Sequence, residues 1–195
     1  MKKQIILLTN LFLFLGSLAL NAQDTQQECN IKYNLFKGDY QSKKYEDAYP
    51  NWMYLMDNCQ KLSINVYKLG DKLAQVRFKN AENKTEAAAL VKRVYLQRLE
   101  NFPAKDPAKA HSNYATFLIK NKLASDEEVF EILQLAYSLD PTRMSVKNIY
   151  RYFQGITDTY KDTNPQKVFD TYDDVLESVG EKLADYAKKL KALND

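Results

Sequence analysis

Glycine and proline are scarce in this chain, at five residues each in 195. That excludes collagen-like repeats and argues against disorder and against turn-rich β folds, which use both residues heavily. Histidine is scarcer still. His111 is the only one, so a Ser-His-Asp or Cys-His nucleophile system would have to use it. It falls at an inter-helix packing position and is read as a packing residue. There is no Gly-rich phosphate loop and no metal-binding motif of the usual spacing. Cysteine is limited to Cys29 and Cys59, without a Cys-x-x-Cys pair, which argues against a zinc site. The expectation is a protein that is not an enzyme, with no cofactor and no metal. An excess of charge is lacking too. Lys and Arg total 28 against 25 Asp and Glu, a net +3, and losing Lys2 and Lys3 with a leader would leave +1. A near-neutral chain has no electrostatic drive toward nucleic acid.

Long apolar runs are absent except at the start. Lys2 and Lys3 precede an apolar stretch from Ile5 to Leu20, interrupted at Thr9 and Asn10. Small residues follow, from Ser17 to Ala22. Residues 1–22 read as a secretory signal peptide cleaved between Ala22 and Gln23. A spanning helix needs about 20 apolar residues, which the polar interruption denies, so no membrane span is expected after cleavage. No cysteine stands at the cleavage site to carry a lipid. The mature chain, residues 23–195, is expected to be exported, periplasmic or secreted, and long enough for one domain.

Apolar residues recur at spacings of three and four, and no run alternates as a strand would. The reading is all-α: eight helices in four pairs, over 31–42, 45–58, 63–79, 85–101, 108–121, 126–138, 144–161 and 165–191. Ser125 with Glu128 has the spacing of a capping box. Asp106-Pro107 and Asn164-Pro165 each set a capping residue before a proline at the first helical position. Pro103 and Pro141 stop the helices before them. Pro50 is the misfit, because it lies inside the 45–58 pattern and should kink that helix or delay its start.

The two cysteines follow from this layout. Cys29 precedes the first helix and Cys59 ends the second. In an antiparallel pair the start of one helix lies beside the end of the next, so a Cys29–Cys59 disulfide is expected in a compartment that permits it.

Helices of this length joined by short loops imply antiparallel neighbours, and four pairs in series imply a repeat. Val66-x2-Leu69-Gly70-x2-Leu73 fits the start of a tetratricopeptide repeat well. His111-x2-Tyr114-Ala115-x2-Leu118 and Val146-x2-Ile149-Tyr150-x2-Phe153 keep the spacing with looser residue types, and Tyr33-x2-Phe36-Lys37-x2-Tyr40 is the weakest. The most specific stretch is Tyr45-Glu46-Asp47-Ala48-Tyr49-Pro50-Asn51-Trp52, with Cys29 before it and Cys59 after. On these residues the mature chain resembles the exported tetratricopeptide-type proteins of Gram-negative bacteria, with degenerate repeats. The resemblance implies a right-handed, TPR-like α-solenoid whose concave face holds a peptide or partner protein of the cell envelope.

Registered on those repeats, the face formed by the first helix of each pair would present Tyr67, Asp71, Lys109, Ser112, Lys120, Lys147, Arg151 and Gln154. Its later part is basic and suits an acidic group or a C-terminal carboxylate. The fourteen tyrosines motivate an alternative, a carbohydrate-binding helical domain in nutrient capture. Tyr33, Phe36, Tyr40, Trp52, Tyr114, Tyr150 and Phe153 are read as locking helix pairs. Asp170, Asp173, Asp174, Glu177, Glu181 and Asp185 are read as a solvated acidic face of the last helix, since no loop gathers them into a calcium cage. The identity of the partner and the oligomeric state stay open at this level.

Overall fold

Helix signals in the sequence are met one by one in the computed structural model, which describes residues 25–194. The expected signal peptide and its expected cleavage between Ala22 and Gln23 lie outside the described residues. Among these residues there are eight α-helices, one short 3-10 turn and no strand: α1 over 25–41, α2 Tyr45–Asn58, α3 Asn65–Asn80, α4 Lys84–Asn101, α5 Pro107–Asn121, α6 Asp126–Leu139, α7 Val146–Tyr160 and α8 Pro165–Asn194.

Side-chain caps explain where several helices begin. Ser125 forms the expected reciprocal capping box with Glu128. Its hydroxyl accepts the Glu128 N–H at 3.2 Å, and the Glu128 carboxylate accepts the Ser125 N–H at 2.8 Å. The Asn83 side chain caps α4 and that of Ser145 caps α7, each accepting a backbone N–H of the first turn. Asn164 caps α8, its side-chain oxygen accepting the Lys167 N–H at 3.3 Å. Each such bond satisfies one of the orphan donors of a helix start and is worth about 1 kcal/mol.

Several expectations are corrected. Helix α1 already includes residue 25, so Cys29 lies within it and does not precede it. Gln26, Gln27 and Glu28 are good helix formers and carry the helix back past the cysteine. Asp106 does not cap α5 with its side chain. Its backbone is left-handed at φ 62°, not extended as a capping residue's is, and its carboxylate takes a two-pronged ion pair from Arg143, at 3.0 and 2.5 Å, which a single cap bond does not match. Helix α7 starts at Val146, because Pro141–Arg143 forms a 3-10 turn held by Asp140, whose carboxylate accepts the Thr142 N–H. Tyr150 is 57% exposed and locks no helix pair. Pro50 neither ends α2 nor delays it; the helix runs through it from Tyr45.

The described residues fall into two compact units that divide between Phe102 and Pro103. In the first, α2 packs on α3 and α3 on α4. Its core holds Phe36, Trp52, Leu55, Met56, Tyr67 and Leu73, all fully buried. Trp52 fits because residue 70 is glycine: a Cβ there would stand 2.2 Å from the indole nitrogen. The indole N–H donates to the Val66 carbonyl at 3.0 Å, so the buried ring leaves no polar atom unpaired. The Cys29–Cys59 disulfide ties α1 to the end of α2, with Cα atoms 5.8 Å apart.

The second unit repeats the device. Helices α5, α6, α7 and α8 pack consecutively, and Gly155 gives Phe130 the space that Gly70 gives Trp52, a Cβ there lying 2.2 Å from the ring. That accounts for Tyr150. In α7 the close approach occurs at Gly155, and Ile149, Tyr152 and Ile156 turn inward, so Tyr150 points out.

Candidate functional site

The second unit is built as two layers that differ in charge. In the first layer, α5 and α7 are joined through Asn148, which is buried. Its amide group donates toward the Ser112 carbonyl at 2.8 Å, the Ser112 hydroxyl at 2.9 Å and the Thr116 hydroxyl at 2.9 Å. Its carbonyl oxygen accepts from the Arg151 guanidinium at 3.1 Å. Thr116 in turn donates to the Ser112 carbonyl at 2.9 Å. A buried polar network with its members satisfied fixes one register between helices, since any slip would strand a donor. Here it also orients Arg151.

Around this network stand the exposed side chains of Lys109, Lys120 and Lys147. Helix α5 contains no Asp or Glu, and α7 contains only Asp158. In the other layer α6 is the reverse, while α8 mixes six acids with five lysines. Helix α6 carries Asp126, Glu127, Glu128 and Glu131 and no base. It meets α8 where the Tyr137 and Ser178 hydroxyls lie 3.3 Å apart. Fixed charge sorted in this way makes a local field that attracts anions to one face.

The residues expected on the binding face are only partly brought together. Lys109, Lys120, Lys147 and Gln154 are exposed and Arg151 is half-buried. Arg151 and Gln154 also line a cleft of about 290 Å³ whose wall includes Asp126, Phe130 and Asp158. Ser112 is buried, and its hydroxyl and carbonyl serve the Asn148 network rather than solvent. Tyr67 is buried in the first unit, its hydroxyl donating to the Gln60 carbonyl at 2.9 Å. Burial pushes that phenol up to about 12. Asp71, also in the first unit, accepts from the Gln75 side chain at 3.0 Å, and burial holds its carboxyl above the usual range. Asn148 is missing from the expected face; nothing in its local spacing distinguishes it from a surface asparagine.

The first unit has a cleft of its own, about 650 Å³, lined by Glu46, Tyr49, Arg77, Glu82 and Glu86 among others. Arg77 is already committed, paired with Glu46 at 2.7 Å and stacked 3.8 Å from the centre of the Tyr49 ring. That cleft therefore presents carboxylates, whereas the α5–α7 layer presents bases. His111 is buried in α5, and burial lowers its pKa. Among the described residues no group of three or more His, Cys, Asp or Glu is gathered as a metal centre requires. No protein-family model matches the chain, and no curated protein matches it at a significant level.

Proposed function

We propose that this chain is an exported, TPR-like right-handed α-solenoid that binds without catalysing, and that it holds an acidic peptide or protein of the cell envelope on the α5–α7 layer. The observation that carries the reading is the charge sorting of the second unit, with Lys109, Lys120, Lys147 and Arg151 beside a single acid on α5 and α7. Consecutive packing of helices joined by short loops supports the repeat. The disulfide supports an oxidising compartment outside the cytoplasm, and among the described residues no helix is long and apolar enough to cross a membrane. The carbohydrate reading draws less support, because six of the seven aromatics named from the sequence are buried or half-buried and Tyr150 alone is mostly exposed.

The test is crosslinking in the native envelope with the wild-type chain and with Lys109→Ala/Lys120→Ala/Lys147→Ala, three exposed sites. The triple variant should lose its acidic partner while keeping its helical content, because substitutions at such surface sites shift stability by about 0.5 kcal/mol each. Unchanged capture, or capture by glycans and not by protein, would overturn the reading.

A further inference from the structure

Helix α8 carries a second surface that its own unit leaves largely open, apart from the Tyr172 ring, whose centre lies 5.8 Å from that of Phe153 in α7. It packs inward through Thr171, Val175, Ser178 and Lys182, all buried, and the Lys182 ammonium donates to the Thr142 carbonyl. Immediately beside that buried row runs an apolar one. Phe169, Tyr172, Leu176, Leu183, Tyr186, Leu190 and Leu193 are 47% to 83% exposed, and Val179 is half-buried. Their spacing alternates three and four without a break, which is the a/d pattern of a coiled-coil seam sustained over more than three heptads. Single exposed apolar side chains are ordinary, but a continuous row of eight along one helix is not.

We propose that α8 pairs with α8 of a second copy of this chain as an antiparallel two-helix seam centred on Glu181. In that register Phe169 of one copy meets Leu193 of the other, Tyr172 meets Leu190, Leu176 meets Tyr186 and Val179 meets Leu183, so every a position faces a d position.

The flank decides the direction. The side of the row away from the buried face carries Asp170, Asp173 and Glu177 in the first half of the helix and Lys191, with Lys188 beyond it, in the second. A parallel pair would turn this flank toward the other copy's Thr171, Val175, Ser178 and Lys182, which that copy's own unit already covers. The antiparallel pair sets Asp170 and Asp173 beside the opposite copy's Lys191. Between those ends the flank narrows to Gly180, Ala184 and Ala187. Nothing lies within 4 Å of the place where a Gly180 side chain would be, so a second helix can approach closely at the centre. The area is sufficient. About half or more of each of the seven exposed side chains is open to solvent, and at the low end of the range for large side chains each buries on the order of 150 Å². They therefore offer roughly 500 Å² per copy, about 1,000 Å² for the pair, which is the area a specific interface must clear. The pairing uses none of the bases of α5 and α7, so it stands apart from the partner-binding reading.

Sedimentation of the purified chain tests it. The wild type should be a dimer, and Leu176→Glu/Leu183→Glu should be a monomer with unchanged helical content, because both positions already face solvent. Lys188→Glu/Lys191→Glu should weaken the dimer about tenfold, and adding Asp170→Lys/Asp173→Lys in the same chain should restore it. Mixing Tyr172→Cys with Leu190→Cys should give a mixed disulfide-linked dimer, while Tyr172→Cys alone gives none. A wild-type monomer at about 100 μM, far above the range of a standard interface, would overturn the proposal. So would a dimer that survives the paired glutamates, or one that crosslinks through Tyr172→Cys alone.

Discussion

Two residues show how little space the helix contacts leave. Gly70 faces the Trp52 indole, where a Cβ would come within 2.2 Å of the ring nitrogen. Gly70→Ala must push that ring off the Val66 carbonyl or part α2 from α3. Overpacking of this kind costs about 1–3 kcal/mol, and Trp52 is the only tryptophan. Denaturant unfolding followed by its fluorescence should show a lowered midpoint and a shifted native emission; an unchanged midpoint would mean the helices part at no expense. His111 makes a pH-dependent contribution. Burial lowers its folded-state pKa below the ordinary 6.5. The unfolded chain therefore takes up the proton first, and stability falls as pH drops from about 6.5 through the lowered value. His111→Gln should flatten that part of the stability–pH profile, as read by thermal melts from about pH 7.5 to about pH 5. A profile with the same slope in both proteins would place the acid sensitivity elsewhere.

Among the helices, the disulfide carries the clearest consequence. It closes a loop of 30 residues in sequence separation, which removes unfolded-state entropy worth about 3.6 kcal/mol on the chain-entropy account. Helix α2 needs that support, because Pro50 lacks the N–H that would bond the Glu46 carbonyl. Reduction should therefore loosen residues 29–59 first. Amide exchange by mass spectrometry, with and without reductant, should show protection lost in α1 and α2 while α5 to α8 keep theirs; uniform loss along the chain would contradict it. The helix boundaries are largely legible in the sequence, because Ser125 with Glu128, Asn164 with Pro165 and the apolar spacing of three and four are local signals. Asp106 departs from its local signal for a non-local reason. Its surroundings in sequence are those of a cap, but Arg143, 37 positions away, offers its carboxylate a stronger partner. Tyr150 departs because repeat register does not say which face of α7 finds a glycine to pack against.

For the whole molecule, the charged start, the apolar stretch and the small residues up to Ala22 predict an exported chain whose mature form begins at Gln23. Intact-mass measurement on protein from the native host should show that mass. A mature protein that retains residues 1–22 would overturn the cleaved leader and leave the disulfide as the support for an extracytoplasmic role. The all-α class, most of the caps, the cysteine pair and the lack of the commoner catalytic motifs can all be read along the chain. Each depends on residue type, on local spacing or on the nearness of consecutive antiparallel helices. Tertiary contacts alone assign side chains to packing or to solvent. Tyr67 and Ser112 have the spacing of a binding face but are consumed by the core and by the Asn148 network. The heptad row of α8 has the same spacing whether its own unit covers it or not. Burial is a property of what lies opposite a side chain. The fold brings those opposing groups from tens of residues away, beyond the reach of any local pattern.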